Sequence, residues 1–153
     1  RLLMSLNAVD AAVSFLDDLT TTRGVTLSPG LRVDQATALL AKGDYTRAEQ
    51  SIALAVGASG IEGSERMRAA LLNFLAALGQ QKRTEARLLM DTLIADYPDL
   101  CESYFLSSVD FWPDAVFKDA ERVLGKLCTH EEKQSIFPFG FSIEKLDISE
   151  FWK

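Results

Sequence analysis

Few residues in this chain have types and spacing that could do chemistry. Cys128-Thr-His130 sets a thiol two positions from the sole imidazole, and Cys101 is the one other cysteine. A structural zinc site needs four ligands, and this set offers three. A nucleophilic Cys–His pair needs facing side chains, whereas positions two apart on a helix diverge. Carboxylate pairs stand at Asp17-Asp18 and Glu131-Glu132. Adjacent acids near helix ends favour the helix dipole or stay solvated, which is not the arrangement of a general acid and base. Gly57, Gly60 and Gly63 resemble a phosphate loop only superficially, because no lysine follows and no strand is predicted before them. The expectation is a protein that is not an enzyme, with no cofactor and no metal. The cysteines read as small buried hydrophobes and not as a disulfide framework, which suits a cytoplasmic chain.

The composition narrows the class further. A hydrophobic content of 48% against 25% charged residues is that of an ordinary soluble domain, and 153 residues suffice for one core. The net charge of −6 lacks the basic footprint of a phosphate-backbone binder, so no nucleic-acid partner is expected. The basic stretch Gln81–Arg87 reads as a solvated helix face. No apolar run reaches the roughly 18–20 residues that span a bilayer, so membrane insertion is not expected. The first residues, Arg-Leu-Leu-Met-Ser-Leu, are interrupted by Asn7 and Asp10 too soon for a signal peptide. A start at Arg1 instead of Met is read as an excerpt of a longer protein.

The elements follow from apolar spacing and punctuation. Leu2, Leu6, Val9, Val13 and Leu16 predict one amphipathic helix over 1–19. Ser28-Pro29 predicts a capped start for a helix ending at Gly43. Asp44 caps the next, which carries Tyr45, Ala48, Ile52, Ala55 and Val56. After a small-residue loop at 57–63, a helix runs from Ser64 to Leu78, Gly79 stops it, and a partner spans about 82–97 before Pro98. A third pair is predicted around the Trp112-Pro113 turn. Its first helix holds Leu100, Tyr104, Phe105, Leu106 and Val109, and its second holds Val116 to Leu127. Thr129 with Glu132 fits a capping box for one further short turn. The aromatic, Pro- and Gly-broken stretch 136–141 is not predicted to be helical, and a short helix is predicted within Ser142–Lys153.

Ala48, Ala86 and Ala120 recur 38 and 34 residues apart, each inside a helix and followed by large apolar residues. A small residue at a helix crossing lets two axes approach to about 8–10 Å. Recurrence of this kind marks stacked helix pairs, none of which buries its apolar face alone. The stretch Leu39–Ala55, with its Gly-Asp-Tyr turn and Ala48, resembles the tetratricopeptide (TPR) repeat, a 34-residue helix-turn-helix unit. Ala86 with Pro98, and Phe117 with Ala120, extend that resemblance over roughly 29–128. It implies an all-α, right-handed superhelix (α-solenoid) of about three hairpins. The repeat domain would cover 1–134, with units near 29–60, 64–98 and 99–128 and an N-terminal helix. The aromatic-rich tail 135–153 would cap the fold or dock a partner.

The same resemblance implies a protein–protein interaction module. Many TPR modules hold a terminal carboxylate through Lys and Asn on successive first helices. Here those helices carry Arg32, Arg66, Arg68 and Asn73 without that pattern, and otherwise look apolar. The expected role is a non-catalytic adaptor, scaffold or subunit of a larger complex, binding an apolar helix or extended segment of another protein in its concave groove. The residues expected to meet the partner are Leu40, Leu71, Leu75, Phe105, Val109, Trp112, Phe151 and Trp152. The alternative is a small chaperone that shields one client. Phe137, Phe139 and Phe141 are expected to lie over the last helix pair.

Overall fold

A computed structural model describes residues 1–102, 104–136 and 146–152, with backbone alone over 129–136. Among these residues there are eight α-helices, two 3-10 turns and no strand, so the chain is all-α as expected. The helices are α1 (Leu2–Ser5), α2 (Val9–Thr21), α3 (Pro29–Ala41), α4 (Tyr45–Gly57), α5 (Gly63–Gly79), α6 (Arg83–Asp96), α7 (Tyr104–Ser108) and α8 (Asp114–Ile136). The 3-10 turns are η1 (Pro98–Cys101), after α6, and η2 (Ile148–Trp152), at the end.

The two central hairpins form where local signals place them. Ser28 Oγ accepts the Leu31 N–H at 3.3 Å, and Pro29 opens α3 with its ring in place of an orphan donor. Gly43, at φ +77°, makes the tight turn into α4, whose start is capped by Asp44 accepting from Arg47 N at 3.4 Å. α5 and α6 repeat the hairpin. α3 packs on α2, α4, α5 and α8, while α5 packs on α3, α4, α6 and α8. These two helices are therefore buried around most of their circumference, α3 with Asp34, Gln35 and Thr37 among its buried residues, and Leu71, Leu72 and Phe74 of α5 fully buried. Ala48, Ala86 and Ala120 each have 0% exposure, as close helix crossings require.

Three expectations need correction. The single N-terminal helix is two, because Asn7 takes φ +56°, a left-handed conformation that Asn tolerates better than most residues. The break resets the helical phase, so Met4 is buried while Leu2 and Leu6 are 72% and 68% exposed.

The third hairpin also departs from the prediction. Its first half is η1 and the five-residue α7, separated by Glu102 in an extended conformation. Its second half, α8, packs against α3, α5 and η1. α8 runs through the Thr129–Glu132 capping signal to Ile136. Residues 131–134 are strong helix formers, and the first breaker in the sequence is Pro138.

Third, Cys101 and Cys128 are joined in a disulfide, with Cα atoms 5.3 Å apart. Neither cysteine is the small buried hydrophobe expected, since Cys101 is exposed and Cys128 half-buried, and the packing of η1 on α8 brings the sulfurs together. Phe137, Phe139 and Phe141 lie outside the described residues. No helix among the described residues is long and apolar enough to cross a membrane.

Candidate partner-binding face

Side by side, α3 and α5 make a face whose floor is Leu40 on one helix and Leu71 and Leu75 on the other. In this structure that face is covered by the chain itself. α8 packs on both helices, with Val116, Ala120, Val123 and Leu124 buried at the spacing of one helical stripe, while Leu127 turns toward Leu93 and Ile94 of α6 and Leu100 of η1. η2 fills the adjoining seam between the end of α5, the start of α6 and α8. Of the eight residues expected to meet a partner, Leu40, Leu71, Leu75, Phe105, Val109, Trp112 and Phe151 are buried in the core, and Trp152 is half-buried.

The fold brings four of the eight together. Leu40, Leu75, Phe151 and Trp152 line one pocket of about 120 Å³, together with Tyr45, Leu78, Val116, Asp119 and Arg122. Phe105 and Trp112 form a separate edge-to-face pair, with centroids 6.4 Å apart and ring planes at 80°. Trp112 Nε1 is buried there with no hydrogen-bond acceptor among the described residues.

η2 is held by contacts of several kinds. Phe151 is 3% exposed and meets Phe74 edge-on at 5.4 Å. Trp152 Nε1 donates to the Leu78 carbonyl at 3.1 Å, near the end of α5 where helix carbonyls lack intrahelical donors. The Arg83 guanidinium stands 5.1 Å above the Trp152 ring. From α8, Arg122 Nη1 donates to the Phe151 carbonyl at 2.8 Å, and Lys126 Nζ donates to the Glu150 carbonyl. Asp147 caps the turn by accepting from Ser149 N at 2.9 Å. Sequence reasoning missed Arg122 and Lys126, took Phe74 only as part of its helix's apolar face, and read Arg83 as part of a solvated basic stretch. The one available signal was the i, i+4 spacing of Arg122 and Lys126, which puts two cations on one face of α8.

Two polar regions complete the surface. A groove of about 480 Å³ between α2, α3 and α4 is lined by Arg32, Gln35, Arg47, Ser51 and Asp17. Its buried Gln35 Oε1 accepts from Ser51 Oγ at 2.7 Å and from Arg32 Nη1 at 3.2 Å, while Arg47 pairs with Asp17 at 2.7 Å. These groups satisfy one another. At the opposite edge, Arg1 bridges Asp34 at 3.2 Å and Glu65 at 3.3 Å, and lies 4.4 Å over Phe111. Arg68 joins Glu65 at 3.2 Å and the Ser108 carbonyl at 3.1 Å. The cluster ties the chain start, α3, α5 and the α7–α8 turn into one charge-balanced network.

Lys82, between α5 and α6, donates to Glu49 of α4. That hydrogen bond holds its pKa above the ordinary 10.5, with the nearby charges of Glu49 and Glu85 adding to the shift. Among the described residues no group of three or more His, Cys, Asp or Glu converges to hold a metal ion. No family model, curated protein or solved structure matches the chain.

Proposed function

We propose that the protein is a non-catalytic interaction module, an adaptor or subunit of a larger assembly, that holds an apolar helical segment of another protein against the α3–α5 face. The observation that carries this reading is the occupancy of that face by the chain itself. Leu40 and Leu75 meet Val116 of an amphipathic helix and Phe151 and Trp152 of an aromatic turn, so the surface fits that class of segment. Apolar burial at roughly 25 cal/mol per Å² would supply most of the affinity. A TPR-like reading of the two central hairpins belongs to the same proposal: α3 pairs with α4, α5 pairs with α6, and α3 lies beside α5 as in stacked helical units.

Location enters the proposal through the cysteines. Disulfides persist in oxidising compartments, so the Cys101–Cys128 bridge favours such a compartment over the cytoplasmic residence expected from the sequence. Alkylation of thiols at the moment of lysis distinguishes the two, because a cytoplasmic chain is labelled at both cysteines.

The functional test is cross-linking of the tagged chain in its native cells. A stoichiometric partner with cross-links on α3, α5 or α8 supports the reading. A chain that migrates as a monomer, with intramolecular cross-links only, overturns it.

A further inference from the structure

The seam that holds η2 has the attributes of a peptide-recognition site, and its present occupant is a short peptide-like segment of the same chain. Phe151 enters an apolar slot against Phe74, and Trp152 anchors to a helix-end carbonyl through its indole N–H. Arg122 and Lys126 take the last carbonyls of the turn, as cations do at the C-terminal end of a helix. With Arg83, they surround a segment, Leu146–Trp152, that carries Asp147 and Glu150. Asp119 lines the same pocket and pairs with Arg122 at 3.8 Å, so the cations of the seam serve the carbonyls of a segment that is itself acidic and aromatic. A pocket of about 120 Å³ opens beside Trp152, lined by Leu40, Leu75 and Val116 together with Asp119 and Arg122. That space could take several water molecules or one further side chain.

We infer that the seam between the end of α5, the start of α6 and α8 is a recognition site for a short acidic helical turn ending in an aromatic pair. Residues 146–152 are its resident occupant, and a partner segment of the same chemistry binds by displacing them. A side chain that enters the pocket beside Trp152 gives the partner an advantage over residues 146–152. This inference rests on the interaction-module reading and specifies the partner's chemistry and the contact that holds the site closed.

The test uses the full chain and a fluorescein-labelled peptide of residues 146–152, followed by anisotropy. The variant Phe151→Ala with Trp152→Ala vacates the seam. It should bind the peptide about tenfold or more tightly than the unaltered chain, in which the tethered tail competes at high effective concentration. A peptide with both aromatics replaced by alanine should not bind, and adding Arg122→Ala and Lys126→Ala to the vacated chain should weaken binding by about tenfold. A vacated chain that keeps its helical circular dichroism and ignores the peptide, or binds both peptides equally, overturns the inference.

If the vacated chain unfolds, the unaltered chain decides. Excess peptide with a photoreactive group at the Phe151 position should cross-link to α5 or α8 and speed amide exchange in residues 148–152. No cross-link overturns the inference. A native partner cross-linked on α3 while residues 148–152 stay protected would sink the displacement idea alone and leave the module reading standing.

Discussion

Asn7 and Asp114, 107 positions apart, exchange two hydrogen bonds: Asp114 N donates to Asn7 Oδ1 at 2.9 Å, and Asn7 Nδ2 donates to Asp114 Oδ2 at 2.8 Å. The turn that splits the N-terminal segment thus caps the first amide of α8, one of the donors that a helix start leaves without an intrahelical partner. Asn is suited to both tasks, since it accepts φ +56° and carries an acceptor of the right length.

Asn7→Ala should therefore cost about 2 kcal/mol, roughly half from the lost cap and half from left-handed backbone strain. Asn7→Gly keeps the backbone conformation and loses the cap, so it should fall between Asn and Ala. Urea denaturation of the three chains checks the order. Equal midpoints would show that the pairing contributes nothing.

Gly79 ends α5 directly beneath the Tyr45 ring, where an added Cβ would lie 2.4 Å from Cε1 and Cζ. Its backbone does not need glycine, and alanine is the better helix former by about 1 kcal/mol. Gly79→Ala should nevertheless destabilise the chain by about 1–3 kcal/mol, because the ring must leave its place. In a Tyr45→Ala background the same change should become neutral or stabilising. A double-mutant cycle reads that change of sign, and additivity of the two substitutions would refute the contact.

The Cys101–Cys128 bridge closes a segment with a sequence separation of 27 and fastens η1 to α8. Restricting a loop of that size in the unfolded chain should stabilise the fold by about 3–4 kcal/mol. A chain with Cys101→Ser and Cys128→Ser should unfold at correspondingly lower denaturant, and the unaltered chain should match it only under reducing conditions. A midpoint indifferent to reductant would count against the bridge.

Lys82 gives a pH signature. Its folded pKa is raised, first by the hydrogen bond to Glu49, so its contribution is complete below the ordinary value of 10.5 and is lost as pH climbs through the folded value. The group is exposed, and the effect on stability should be small. Glu49→Gln should lower the Lys82 pKa toward 10.5, which NMR titration of the lysine side chain measures directly. An unchanged titration would rule out the pairing with Glu49.

The seam would have been hard to find from sequence for a reason that Phe151 illustrates. Aromatic residues near a chain end carry no label for the surface they will meet, since apolar burial rewards area without direction. Leu40, Leu75, Phe151 and Trp152 were legible as apolar residues in need of cover. That they share one pocket depends on where α8 crosses α3 and α5.

The amino-acid order alone settled what is local: an all-helical chain, the α3–α4 and α5–α6 hairpins, the stops at Gly43 and Pro98, and the need to bury Ala48, Ala86 and Ala120; the turn after α5, expected at Gly79, is made instead by Gln81 at φ +57°. Those signals act through caps, turns and periodicity over a few residues, so they can be read along the chain. Packing alone decided that α8 turns onto the α3–α5 face, that Cys101 meets Cys128, that Asn7 caps Asp114, and that the last aromatic turn seats beside Phe74. The stripe Val116–Leu127 would suit any apolar neighbour, and its choice rests on contacts among residues far apart in sequence, where periodicity carries no information.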